Sequence, residues 1–223
     1  MIKHSLSILF LSAVLATGCG SKEAKTEYAL AAAPTSAVAL ERLKEGNERF
    51  LKGETIQNEL GTDLKKHEAG QKPYAIILSC ADSRVPVERL FDAGVGELFV
   101  LRVAGNVATE EMIGSSEFGV AALGAPLIVV MGHESCGAVV GAQSLQPELY
   151  PDELQGLLEG IREDLDELDK ASASLAEATE ANARHQVSKL MESPVISGAV
   201  EAGTLKIVPA VYAIGSGKVT FLE

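Results

Sequence analysis

Tryptophan is absent from the 223 residues, and aromatic residues of every kind amount to 4%. A surface that stacks sugars or bases needs such rings, so carbohydrate platforms and single-strand nucleic-acid grooves are excluded. Positive charge is scarce as well: 19 Lys and Arg stand against 31 Asp and Glu, a formal net charge of −12. No surplus of cations is available to neutralise phosphates, so no nucleic-acid partner is expected. Cysteine occurs only three times, too few for a disulfide scaffold. The apolar run from Leu6 to Ala16 falls short of the roughly 20 residues needed to span a bilayer. What is there is ordinary for a globular chain, with 47% hydrophobic and 22% charged residues, and the length fits one folded domain.

The N-terminus reads as a targeting segment. Lys3 and His4 precede the apolar run, which ends in Ala16-Thr17-Gly18-Cys19. A basic start, a short apolar core and small residues at its end mark a secretory signal. The ending resembles a bacterial lipobox, with Ala16 where that pattern usually has Leu. Residues 1–18 are therefore expected to be removed as a signal peptide, leaving a lipid-modified Cys19 as the mature N-terminus. Mass spectrometry of that terminus checks this: an acylated Cys19 is expected, and an unmodified one overturns it. Residues 19–36, small and polar with Pro34, read as the tether of an exported, periplasmic or cell-envelope lipoprotein. Residues 37–223 form the folded domain, and its only membrane contact is that anchor. Export would place it in an oxidising compartment.

Within the domain, Thr35 to Gly53 reads as an amphipathic helix with Gly53 as its stop. Asn58 to Lys72 reads as a connection. Three short apolar runs follow, Tyr74 to Ser79, Leu98 to Val103 and Leu127 to Met131, without polar alternation. Such runs suit strands buried on both faces of a parallel sheet. A helix is expected between the second and third, over Glu110 to Gly124. This order implies an α/β layered fold. Leucines from Leu154 to Leu168 recur at helical spacing in an acidic background; eleven acids and three bases fall between Glu148 and Gln186, read as a solvated helix face. A further helix runs to about Glu192, before Pro194. Leu205 to Ile214 and Lys218 to Leu222 read as a terminal hairpin.

The chemistry gathers where strands end. Cys80 follows the first strand, while His133 and Cys136 follow the third, and ligands collect at the carboxyl ends of strands in open α/β sheets. Two thiolates and an imidazole are a zinc ligand set that leaves a fourth position open. A Cys80–Cys136 disulfide, two inert buried thiols or a closed structural zinc site are alternatives on the same residues. In Cys80-Ala81-Asp82-Ser83-Arg84, an extended segment would project Cys80, Asp82 and Arg84 to one side. Asp82 then has two competing cationic partners, the metal and the Arg84 guanidinium.

The segments CADSRVPVERLFDAGVGELFVLRVAGNV (80–107) and GHESCGAV (132–139) resemble the β-class carbonic anhydrases. ALERLKEGNERFLKGE, GQKPYAIILSCADSR and VPAVYAIGSGKVTFL are similar to matching parts of that family in the same order, so the likeness runs from about Ala39 to the C-terminus. The resemblance implies a central mixed sheet with mainly parallel core strands flanked by helices. It implies one Zn²⁺ per subunit on Cys80, His133 and Cys136, with water as fourth ligand and Asp82 as a conditional one. It implies reversible hydration of CO2 to bicarbonate by zinc-bound hydroxide, with Asp82 hydrogen-bonded to that nucleophile and Arg84 holding Asp82 off the metal. Gly105 falls where the family's backbone lines the substrate pocket. Members assemble as homodimers or multiples of dimers, the N-terminal helix crossing the partner.

Zinc brings bound water to a pKa of about 7 in a three-His site. Two thiolates cancel the formal charge of the ion, so here the value is expected to be higher and hydration to strengthen toward about pH 8.5. Relatives that hydrolyse carbon disulfide or carbonyl sulfide, and a non-catalytic zinc-binding lipoprotein, are the alternative functions. The second, Trp-containing bicarbonate pocket of some members is excluded in that form, since the chain has no Trp. No histidine stands out as a proton shuttle; His67 and His185 read as surface residues.

Overall fold

An apolar run with no polar alternation suits a strand covered on both faces, and the computed structural model shows this for the first and third runs, while the second forms a partly exposed edge strand. The structure describes residues 33–56, 64–65, 67–68, 70–143, 149–165 and 173–222. The leader, Cys19, most of the tether and part of the connection before Lys72 lie outside the described residues. Strands β1 (Ala75–Ser79), β2 (Leu98–Arg102), β3 (Leu127–His133), β4 (Lys206–Tyr212) and β5 (Val219–Phe221) form one sheet in the order β2-β1-β3-β4-β5. The first four are mutually parallel and β5 returns antiparallel to β4, so the sheet is mixed with a parallel centre, as expected.

Side chains alternate across β1 and β3 and build two cores. Ile77, Val129 and Met131 face Leu40 and Leu43 of helix α1 (Ser36–Lys52) and Val87 and Leu90 of the short helix α2 (Val87–Leu90). Ile76, Leu78, Ile128 and Val130 face the other way. They meet Met112 and Ile113 of α3 (Glu110–Ala121) and Leu190 of α6 (Leu175–Met191). Ile196 of α7 (Pro194–Glu201) completes that core. Helices α4 (Gly137–Gln143) and α5 (Asp152–Asp164) cover the carboxyl end of the sheet. No helix among the described residues is long and apolar enough to cross a membrane.

Local signals account for the ends of the elements. Thr35 caps α1 by accepting from the Val38 N–H, and Gly53 ends it in the left-handed region at φ 70. Ser174 and Glu177 form a reciprocal capping box on α6. The helix expected over Glu110 to Gly124 stops at Ala121, and the leucine-rich helix stops at Asp164. Residues 166–172, which hold the last leucine of that repeat, lie outside the described residues. Pro194 was expected only to end a helix, but it also occupies the first turn of α7, where its missing N–H costs nothing. Helices α2 and α4 are too short to show periodicity and went unread.

Candidate metal centre

The strand order decides where the chemistry meets. The chain leaves β1 for β2 on one side and returns to β3 on the other, so the carboxyl ends of β1 and β3 diverge at a topological switch point. Ser79 pairs with Met131 in register, which sets Cys80 beside the Gly132-His133 end of β3. A turn through Glu134 and Ser135, the latter at φ 54, then brings Cys136 back toward the same point. The ligand atoms of Cys80, His133 and Cys136 lie within 4.8 Å of one another, and all three residues are buried. Both cysteines are free, so the disulfide alternative is not the arrangement observed.

These atoms fit a zinc ion. His133 Nδ1 donates to the Glu134 carbonyl at 2.8 Å, which leaves the Nε2 lone pair directed at the two sulfurs. That Nε2 is buried and has no hydrogen-bond partner, an expensive arrangement for an imidazole nitrogen unless something electropositive sits before it. An ion at about 2.3 Å from sulfur and 2.0 Å from nitrogen spans a triangle of this size. Without such an ion the thiols share one negative charge. The hydrogen bond from Cys136 holds the Cys80 thiol well below its ordinary range, while that bond and burial push the Cys136 thiol up. Burial disfavours a charged His133 ring, but the neighbouring Cys80 sulfur and the Glu134 carbonyl more than offset this and raise its pKa. A dication lets both thiols ionise, so metal uptake releases protons.

The dyad sits at the open side of this triangle. The Asp82 carboxylate accepts three hydrogen bonds from Arg84: from its backbone N–H at 2.9 Å and Nε at 2.9 Å on Oδ1, and from Nη2 at 2.7 Å on Oδ2. This fork, with the Arg84 backbone N–H behind it, holds the Asp82 carboxyl well below the usual carboxylate range. Asp82 Oδ2 is 3.8 Å from His133 Nε2, so the carboxylate borders the centre without occupying it. Arg84 is half exposed and its Nη2 also reaches the Ser135 carbonyl at 3.2 Å, joining the two ligand-bearing segments. The local backbone differs from the extended segment expected. Val85 N–H bonds the Asp82 carbonyl at 3.0 Å, so residues 82–85 make a turn. The physical reason is the aspartate itself, whose side chain captures the N–H two residues on.

Gly105 lies on the far side of Cys80, at φ 69 in the short turn Ala104–Asn106. Its N–H is 3.4 Å from Cys80 Sγ, and a Cβ there would stand 2.4 Å from Ile161 Cδ1. The centre therefore needs glycine twice over, for the backbone conformation and for the space. Sequence reasoning missed Arg102, whose Nε and Nη2 bond the carbonyls of Cys80 and Asp82 at 3.0 and 2.6 Å. An arginine at the end of an otherwise apolar strand was the signal. His67 and His185 are both half-buried rather than superficial; the His67 ring packs under Gly96.

A family profile described as carbonic anhydrase matches residues 75–219. Carbonic anhydrase 2 of Mycobacterium tuberculosis is 38% identical over 192 residues, covering 81% of this chain and 89% of its own length. The carbonic anhydrase of Mycolicibacterium smegmatis is 36% identical over 188 residues, covering 81% and 90%. Among solved structures, the Coccomyxa β-carbonic anhydrase in complex with acetazolamide superposes with a TM-score of 0.67 at 27% identity, covering 85% of this chain and 86% of that one.

Proposed function

The chain belongs to the β-class carbonic anhydrases, zinc enzymes, and from that premise we propose that it hydrates CO2 reversibly at the Cys80–His133–Cys136 centre with Asp82 and Arg84 as its working dyad. The observation that carries this reading is the buried, unpartnered His133 Nε2 facing two cysteine sulfurs. Cys80, His133 and Cys136 would hold one Zn²⁺ per subunit, which when bound would acidify water and so supply a nucleophile near neutral pH.

The remaining steps fall to the chain. Val139, Ala142 and Ile161 pack beside Cys80 and Cys136 and offer CO2, an apolar molecule, apolar surroundings. Asp82, ionised because Arg84 clamps both its oxygens, accepts a hydrogen bond from the attacking water and orients a lone pair toward the carbon. As the new C–O bond forms, one C=O electron pair moves onto its oxygen. The water's proton passes to bulk buffer and bicarbonate departs. The same Arg84 fork keeps Asp82 from turning into the centre.

We further place the enzyme at the cell envelope, released from residues 1–18 and held by lipid on Cys19, on the strength of the leader sequence. A homodimer or a multiple of dimers fits the exposed apolar Val38 and Leu51 on α1, the helix the family lays across its partner. Stopped-flow hydration of CO2 by the purified, zinc-loaded protein lacking the lipid anchor tests the reading, with light scattering of the same sample to size the assembly. A rate above buffer that climbs from pH 6.5 toward about 8.5 is expected. No rate with zinc confirmed bound would overturn it, leaving carbon disulfide or carbonyl sulfide hydrolysis, or zinc binding without catalysis.

A further inference from the structure

Two amide side chains are buried beside the centre where an apolar core would suffice. Asn182 and Gln186 lie one turn apart on α6 and are 0% and 1% exposed. Gln186 Nε2 donates to Asn182 Oδ1 at 3.1 Å, and Asn182 Nδ2 donates to the Gly105 carbonyl at 2.9 Å. Gln186 Oε1 accepts from the Ala108 N–H at 2.7 Å. The pair thus grips the 105–108 segment at a carbonyl and at an N–H. Between those grips the backbone makes two left-handed residues, Gly105 at φ 69 and Asn106 at φ 50. The product of that conformation is the Gly105 N–H held 3.4 Å from Cys80 Sγ, next to the Asp82 N–H at the same distance.

We propose that Asn182, backed by Gln186, is a positioning residue for the metal centre, keeping the Gly105 amide aimed at the Cys80 sulfur. The inference rests on the zinc reading above. An N–H donated to a ligating thiolate draws electron density from it and fixes the sulfur's direction, and the loss of such outer partners typically costs 10–100-fold in metal affinity. Buried amides demand full satisfaction, and these two find it on the loop rather than on each other alone.

The test compares Asn182→Ala and Gln186→Met with Asn47→Ala. Asn47 is an equally buried amide on α1 whose partners are Leu90, Gly217 and Val219. Each protein is titrated with zinc against a chromophoric chelator. Each is then loaded with Co²⁺ to read the thiolate-to-cobalt charge-transfer band, and the metal-free forms are melted. Asn182→Ala is expected to bind zinc about 10–100-fold more weakly and to shift the cobalt band. Gln186→Met should do so to a lesser degree, while Asn47→Ala loses thermal stability and changes neither. An unmoved band and affinity in folded Asn182→Ala and Gln186→Met overturn the proposal and leave the amides as packing. If Asn182→Ala fails to fold, Gln186→Met decides alone. Wild-type protein that takes up no stoichiometric zinc overturns the metal reading itself, and this inference with it.

Discussion

Cys136→Ser is expected to release the zinc and to bring CO2 hydration down to the buffer rate. Serine is nearly isosteric, so the buried position after Ser135 stays filled and the fold survives. What is lost is a thiolate. A serine hydroxyl is not ionised near neutral pH, and the remaining pair, Cys80 and His133, closes only two corners of the triangle. Removal of an outer partner alone costs about 10–100-fold in affinity, so removal of a ligand costs more. Metal content of the dialysed variant and its hydration rate are the direct readouts. Thermal unfolding supplies a third. A ligand that binds only the folded state adds about 2.7 kcal/mol at a hundredfold excess over Kd, roughly 5–11 °C for a chain of this size. Wild-type protein should show that shift on zinc addition and Cys136→Ser should not. Stoichiometric zinc and a wild-type rate in the variant would remove Cys136 from the ligand set.

Asp82→Asn is expected to keep zinc and lose activity by about 10²–10⁴-fold, the range over which a positioned acid–base group acts. Asp82 is not one of the three clustered ligands, so metal content should hold. Its anionic oxygens are the acceptors for Arg84, and an amide offers that guanidinium one acceptor and one repelling donor group instead. Arg84→Lys is expected to fail nearly as badly, because an ammonium cannot reproduce the fork. The pH signature separates this dyad from the centre. The Asp82 pKa lies below its ordinary 3.8, so its contribution to folding is complete above that value and fades only as the pH falls through it toward the lower folded pKa. Asp82 is therefore ionised throughout pH 6.5–9, and a rise in rate across that window does not report its titration. Loss of zinc in Asp82→Asn would instead make the carboxylate a resident ligand; an unchanged rate would remove it from the mechanism.

Three of the four parallel strands were legible because Tyr74–Ser79, Leu98–Val103 and Leu127–Met131 are apolar without alternation, although only β1 and β3 are buried throughout and β2, at the sheet edge, is partly exposed. The fourth, β4, was legible with β5 as the terminal hairpin. Helix α1 was legible from its stripe and from Gly53. Helix α7 was not, since proline ends one helix and starts another with the same letter. The turn at 82–85 was misread as extended because strand continuation and an aspartate-driven turn make opposite demands on the backbone. The carboxylate's hydrogen bond to the Arg84 N–H decided the outcome.

The sequence by itself determined which donor groups are on offer: Cys80 and Cys136 carry thiols, His133 an imidazole, and Asp82 and Arg84 stand two residues apart, within reach of the ion pair observed, because donor type is a property of the residue and the dyad is local in the chain. Only the tertiary structure decided that these groups meet. Cys80 and His133 come together because β1 and β3 are neighbours in register, a long-range pairing that no local pattern encodes. Asn182 and Gln186 were likewise invisible as site residues, since on a helix a buried amide and an exposed one are written alike. Their place is set by which face of α6 the sheet covers, and that is settled by the burial of everything else.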